Sequence, residues 1–313
     1  MNPLSLIYGL ATSARNRLYD KKILRTQRLS CPVISIGNIS VGGSGKTPFV
    51  ILLGKLLRQR GITLDVLSRG YGRNTHEVLA VDPTGSPREF GDEPLVIAKQ
   101  LDCPVIVGKS RYHAGVFAEN TYHSAFHILD DGFQHRSLAR DFDIVLLTPE
   151  DLRDRLLPAG RLREPIASLA RADAIVLTDD IDPSQLPEGK LMWKVRRGLK
   201  VPVVHRKPVV FCGIARPQKF VDQLRAAGIQ PVAQKFYRDH HRYTSRDIRD
   251  LLEFQKQCGG ESFITTQKDV MNLGVQFHQL APISVAAVEM ELLNATDALD
   301  TMLRVIAERR AKA

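Results

Sequence analysis

Gly42-Gly43-Ser44-Gly45-Lys46-Thr47 is the stretch of this chain best suited to chemistry. Glycines let backbone N–H groups turn onto phosphate oxygens without side-chain clash. The lysine adds a point charge, and the threonine hydroxyl can ligate Mg²⁺. A short apolar run (Val33, Ile34, Ile36) precedes the loop and an amphipathic pattern over 49–59 follows it. Strand, loop and helix in that order make the context a phosphate loop needs. A strict motif has glycine five positions before Gly45, where this chain has Ser40, and a plain glycine-rich turn is the alternative.

Other ionisable groups cluster along the chain, several of them just after expected strands. The apolar run 126–129 leads into Asp130 and Asp131, placed as a carboxylate is in proteins that hold Mg²⁺ opposite the loop threonine. Successive residues of a strand point to opposite faces, so one of the two would meet the metal. Asp92, in Gly91-Asp92-Glu93-Pro94, reads either as a helix cap or as a base for a substrate hydroxyl. The stretch 237–243 (Tyr-Arg-Asp-His-His-Arg-Tyr) brings Asp239 beside His240, a pair able to move or orient a proton, or simply a solvated loop. Arg69 and Arg73 alternate with glycines, and Arg111 follows the next expected strand; both places suit an anionic ligand.

The elements that must position these groups alternate. Apolar, β-branched runs at 33–36, 63–67, 104–107, 126–129, 144–147 and 174–177 are separated by helical patterns such as 49–59 and 94–100. Near-continuous apolar strands with helices between them indicate a parallel sheet covered on both faces, with ligands at the strands' carboxyl ends. The loop, Arg69–Arg73 and Asp130–Asp131 should then share one rim. Prolines and glycines break the pattern over 181–208, where 191–196 and 199–204 could pair as a ribbon around Arg197 and Gly198. Beyond it come strands at 209–212, 262–266 and 283–288 and helices at 217–227, 246–257 and 296–309. The expected fold class is α/β: a P-loop-containing three-layer α/β/α parallel sheet with a smaller C-terminal α/β lobe joined by a short two-stranded linker. The expected divisions are 1–28 (N-terminal helix), 29–185 (nucleotide-binding domain), 186–208 (linker ribbon) and 209–313 (C-terminal lobe).

A hydrophobic fraction of 43% and a charged fraction of 25% are those of a soluble globular protein. No apolar stretch approaches the ~18 residues of a spanning helix. Nor do the first residues resemble a secretory signal, since the basic residues follow the apolar segment. The scattered cysteines 31, 103, 212 and 258 lack metal spacing and suit buried free thiols. A net charge of +10 fits a phosphorylated substrate, an anionic membrane or nucleic acid. Aromatics do not interleave with the basic residues and no nucleic-acid module is evident, so nucleic acid is not the expected partner. Leu4, Ile7, Tyr8, Ala11, Ala14 and Leu18 recur at helical spacing, and Arg15, Arg17, Lys21, Lys22, Arg25 and Arg28 crowd behind them against Asp20. Such a helix either lies on an anionic lipid surface or docks its stripe on the protein's own core.

Taken in order, Ser35–Asn38 with Gly42–Pro48, Leu67–Arg73, Gly91–Pro94, Ile128–His135, Phe211–Pro217, Asp239-His240 and Lys268-Asp269 resemble the tetraacyldisaccharide 4'-kinase family, the lipid A 4'-kinases of Gram-negative bacteria. The resemblance implies transfer of the γ-phosphate of ATP to the 4'-hydroxyl of tetraacyldisaccharide 1-phosphate, by a peripheral enzyme at the cytoplasmic face of the inner membrane. It implies ATP and Mg²⁺ as cofactors, with Gly42 to Thr47 on the nucleotide and Thr47, Asp130 and Asp131 near the metal. Asp92 would be the base, with His240 and Asp239 from the second lobe. Arg69, Tyr71, Arg73, Arg111, Gln134 and His135 would face the lipid. The rival expectation is a P-loop NTPase that regulates a protein partner. A guanine-reading segment is missing, because Thr266-Gln267-Lys268-Asp269 has its lysine one place late.

Overall fold

The computed structural model describes residues 3–178 and 181–312. Residues 1, 2, 179, 180 and 313, each falling within an expected segment, lie outside it. After helix α1 (Pro3–Asp20), the first lobe runs β1 (Val33–Asn38), α2 (Lys46–Gln59), β2 (Leu64–Ser68), β3 (Leu79–Ala80), α3 (Pro87–Phe90), α4 (Asp92–Gln100), β4 (Val105–Val107), α5 (Arg111–Tyr122), β5 (Phe126–Asp130), β6 (Phe142–Leu147) and β7 (Ala174–Thr178). Then come β8 (Leu191–Lys200), β9 (Pro208–Cys212), α6 (Pro217–Ala226), β10 (Ala233–Phe236), α7 (Ser245–Gln257), β11 (Ser262–Thr266), α8 (Gln267–Leu273), β12 (Ile283–Leu292) and α9 (Ala295–Ala311).

All the strands join one sheet, in the order β10-β9-β11-β12-β8-β7-β6-β1-β5-β2-β4-β3. Neighbours are parallel except β12 with β8 and β3 with β4. The chain moves outward from β1 to β2 and β4, returns to β5 beside β1, and then crosses to β6 and β7. That reversal places the loop after β1 at the switch point, where the connections on either side part and leave a crevice. β1, β2 and β6 are buried along their whole length, which is why they read as unbroken apolar runs instead of alternating ones. The expected parallel α/β sheet with a smaller second lobe is therefore the fold.

Two boundaries differ from expectation. Residues 191–204 do not fold back around Arg197 and Gly198. Leu191–Lys200 is one strand whose first half pairs with β7, and whose second half pairs with Ala287–Leu292 of β12. The two-stranded link is thus made by β8 with a strand some ninety residues later, and Gly198 sits opposite Glu289 within the ladder instead of in a turn. The terminal helix also leaves the C-terminal lobe. Leu299, Met302 and Ile306 of α9, one helical face, pack into the first lobe's core with Phe49, Leu53 and Phe142. Arg309 pairs with Asp173 at 2.7 Å and Arg310 with the buried Asp141 at 2.8 Å.

Met302 is fully buried, so Met302→Ala should cost about 2–5 kcal/mol of stability. Urea unfolding would show this as a lowered midpoint. An unmoved midpoint would mean that α9 is not part of that core.

Candidate active site

Gly42, Gly43 and Gly45 have φ of 74°, 58° and 88°, a left-handed region open to glycine and strained for other residues. Their N–H groups can therefore converge on an anion at the start of α2, where the helix dipole also favours negative charge. The Lys46 ammonium donates to Asn38 Oδ1 at 3.1 Å and lies 3.4 Å from Asp131. Asn38 in turn donates to Ser44 Oγ at 2.8 Å, tying the loop to the end of β1. Thr47, in the first turn of α2, is buried.

Asp130 and Asp131 lie at the carboxyl end of β5, the parallel neighbour of β1, and the structure separates their surroundings. Asp130 ends the strand, and its Oδ2 accepts from Ser68 at 2.9 Å. Its Oδ1 is buried without a hydrogen-bond partner. Burial, with Glu93 and Asp131 nearby, pushes its pKa up to about 7. Asp131 turns out of the strand at φ 51° and takes a bidentate pair from Arg163, at 2.7 and 2.8 Å. Burial alone would raise its pKa, but Lys46 and Arg163 hold the carboxyl well below the usual range. A carboxylate oxygen left bare among such neighbours fits a divalent cation. Asp130, with Thr47, is the pair that could hold one. Arg163, which also donates to Asn38 Oδ1, was invisible to sequence reasoning: an isolated arginine in a loop carries no motif.

Asp92 and His240 come from different lobes and meet. His240 Nδ1 lies 2.8 Å from Asp92 Oδ2. Asp92 is the first residue of α4, with Gly91 in the cap position; its Oδ1 accepts the Glu93 backbone N–H at 3.0 Å, which leaves Oδ2 for His240. Asn272 of α8 donates to the same Oδ2 at 3.4 Å, Lys268 pairs with Glu93, and Arg242 donates to the Gly72 carbonyl at 2.6 Å. These contacts clasp α4 and the loop after β2 to the C-terminal lobe. Asp239 accepts from the His240 backbone N–H at 3.1 Å, with its other oxygen 3.8 Å from Nε2.

Of the expected anion-binding residues, Arg69 and Tyr71 line the cleft of about 1520 Å³ between the lobes, whereas Arg73, Arg111, Gln134 and His135 are not part of its lining. Arg69 and Tyr71 are exposed, and the Tyr71 ring lies 5.4 Å from that of His240. Arg73 donates to the Glu77 carbonyl at 2.7 Å. Arg111 is buried at the start of α5, where burial and its proximity to Arg69 and Arg73 outweigh Asp130 and bring its pKa down to about 10. Burial, then Arg111, Arg140, Arg15 and Arg69, push the His135 imidazole down to about 4, so it is neutral at pH 7. Gln134 is committed elsewhere: its amide nitrogen donates to the Asn38 carbonyl at 2.9 Å and to Glu164 at 3.1 Å, bracing the base of the phosphate loop.

Helix α1 docks by its polar edge. Ser5 and Tyr8 donate to the carbonyls of Leu156 and Arg163, at 3.0 and 3.1 Å, and Asn16 donates to Glu164 at 2.6 Å. Leu4, Leu6, Ile7 and Leu10 face outward, each more than half exposed. The apolar stripe, Tyr8 apart, is thus not the docking surface. Among the described residues no helix is long and apolar enough to cross a membrane.

The family model for LpxK, tetraacyldisaccharide-1-P 4'-kinase, matches residues 1–307. The chain belongs to this family. It is 47% identical to the tetraacyldisaccharide 4'-kinase of Koribacter versatilis, over 99% of this chain and all of the relative. It is 38% identical to that of Aquifex aeolicus, over 87% and 88% of the two chains. A crystal structure of LpxK from Aquifex aeolicus, described as an apo form in complex with ATP, superposes with a TM-score of 0.80 at 35% identity, over 97% of this chain and 98% of that one. Family membership accounts for the ordered set of segments found in the sequence, and the partner-regulating NTPase has no support beside it.

The Asp92–His240 pair has a pH signature. Its hydrogen bond to Asp92 outweighs burial and holds His240 above the ordinary 6.5. Burial pushes Asp92 up, but the His240 bond and the Lys268 charge outweigh it and hold the carboxyl below its ordinary 3.8. The raised group contributes stability that is full below its unfolded pKa and is lost as pH rises through its folded one. The depressed group contributes stability present above its unfolded value and lost as pH falls through its folded one. The pair should therefore stabilise the closed lobes most between about 4 and about 6.5. In urea unfolding, the gap between wild type and His240→Gln should narrow as pH is raised from 6 to 9. A gap that does not change with pH would contradict this.

Proposed function

We propose that this chain transfers the γ-phosphate of ATP to the 4'-hydroxyl of tetraacyldisaccharide 1-phosphate, a step of lipid A biosynthesis. The observation that carries the reading is a carboxylate and an imidazole, from opposite lobes, meeting at 2.8 Å over the cleft that the phosphate loop opens into. Phosphoryl transfer depends on positioning and charge neutralisation more than on covalent help. The loop glycines and Lys46 bind and align the phosphates. Thr47 and Asp130 hold Mg²⁺, which when bound neutralises charge on the phosphate oxygens. Arg163 and Lys46 fix Asp131, so it acts on the lysine's position.

Asp92 accepts the sugar hydroxyl proton as that oxygen bonds to the γ-phosphorus. The bond from phosphorus to the ADP oxygen breaks, leaving a 4'-phosphate and ADP. A carboxylate with a lowered pKa is a weak base, so the proton moves late, as the hydroxyl grows acidic. His240 orients the carboxylate through Nδ1, and Asp239 steadies the His240 backbone. Arg69, Arg73 and Arg111, with Tyr71 and His135 beside them, supply the cationic rim that suits a phosphorylated lipid. The outward apolar face of α1, followed by its basic segment, supports a peripheral position on an anionic membrane, the cytoplasmic face of the inner membrane in this reading.

The test is transfer from labelled ATP to detergent-dispersed tetraacyldisaccharide 1-phosphate. Asp92→Ala and Lys46→Ala should each lose on the order of 10²–10⁴ in kcat. Wild-type protein that transfers no phosphate to this lipid would refute the reading. Separately, changing Leu6, Ile7 and Leu10 to serine should reduce binding to anionic vesicles in a flotation assay while transfer to detergent-dispersed lipid persists. Undiminished flotation would remove α1 from the membrane contact.

A further inference from the structure

The segment between β9 and α6 of the C-terminal lobe lies against the tip of the phosphate loop. A Cβ added to Gly42 would stand 2.9 Å from the Ala215 Cβ, and one on Gly43 would stand 3.0 Å from Arg216 Cδ and 3.1 Å from its Nε. The Arg216 side chain is only 14% exposed. Its Nε, Nη1 and Nη2 are buried, and none makes a hydrogen bond among the described residues. An ion-pair contact to Glu150 at 3.6 Å holds the guanidinium in place without satisfying those donors, and Glu150 is shared with Lys219 at 3.3 Å.

A guanidinium has five N–H donors in a rigid fork, and leaving them unmet away from water is costly. Two other arginines of the cleft have good acceptors: Arg163 takes Asp131, and Arg242 takes the Gly72 carbonyl. Arg216 is therefore a charged fork, buried against glycines whose left-handed backbone suits an anion site, and its own donors lack oxygens to bind.

We propose that Arg216 is the C-terminal lobe's ligand for the phosphate chain of the nucleotide. This rests on the reading of Gly42–Thr47 as an ATP site and adds to it a donor from the other lobe. The loop and Lys46 hold the phosphates from below, and Arg216 closes over them from the lobe that also supplies His240. Nucleotide binding and assembly of the Asp92–His240 pair then favour the same closed arrangement.

The test is equilibrium binding of a non-hydrolysable ATP analogue to the full chain without lipid, with adenosine as the control ligand. Arg216→Ala and Arg216→Gln should weaken analogue binding by about 10-fold or more. Adenosine affinity and the nucleotide-free melting temperature should be unchanged, and Arg216→Lys should recover part of the loss. Analogue binding within twofold of wild type in the glutamine variant would overturn the proposal, as would an equal loss for analogue and adenosine. Wild-type protein that fails to bind the analogue at all would instead overturn the nucleotide reading, and this proposal with it.

Discussion

A single hydrogen bond joins residues 148 positions apart and cannot form unless the two lobes are closed. Asp92 opens a helix of the first lobe, and His240 sits in a left-handed turn of the second at φ 57°. Burial alone would push the Asp92 carboxyl up and the His240 imidazole down. Together each stabilises the charged form of the other, and Lys268 with Asn272 reinforces the contact from α8. Much of the surrounding structure can be read as what is needed to bring these two side chains over the phosphate loop.

The loop itself is braced from its own lobe. Asn38 links Ser44, Lys46 and Arg163, while Arg163 grips Asp131 and leaves Asp130 with a bare oxygen. Two adjacent aspartates thus have opposite fates: one is neutralised by cations, the other is buried and short of them. Strand alternation alone would have predicted that they diverge. The left-handed turn at Asp131 is how the chain achieves it.

Much of this was legible in the sequence because buried parallel strands are continuous apolar runs, and the glycine loop and Asp130–Asp131 lie at the ends of elements of that kind, whereas Asp92 showed only as an acidic start to a helical pattern. What could not be read were partners distant in the chain. Gly198 looked like a turn, since nothing local reveals that Glu289 lies opposite it in a ladder. The stripe on α1 was placed only in part: Leu4 and Ile7 face outward as Leu6 and Leu10 do, but Tyr8 turns inward, because Ser5, Tyr8 and Asn16 find acceptors near residues 156–164. Arg163 and Arg216 carry no motif, and their importance comes only from what surrounds them. The amide nitrogen of Gln134 braces the base of the loop through contacts that no local pattern announces.

The return of α9 to the first lobe has a consequence for how the molecule is made. The chain leaves that lobe along β8, builds β9 to β11 with their helices, and comes back along β12 before its last helix fills the gap beside Phe49 and Phe142. The C-terminal lobe is therefore nested inside the first one, as an insertion held by both ends. During synthesis the phosphate loop emerges early, yet the hydrophobic layer beneath it stays open until some 250 further residues have followed. The nested lobe can fold as a unit in that interval, while the older, larger one must wait for its final helix.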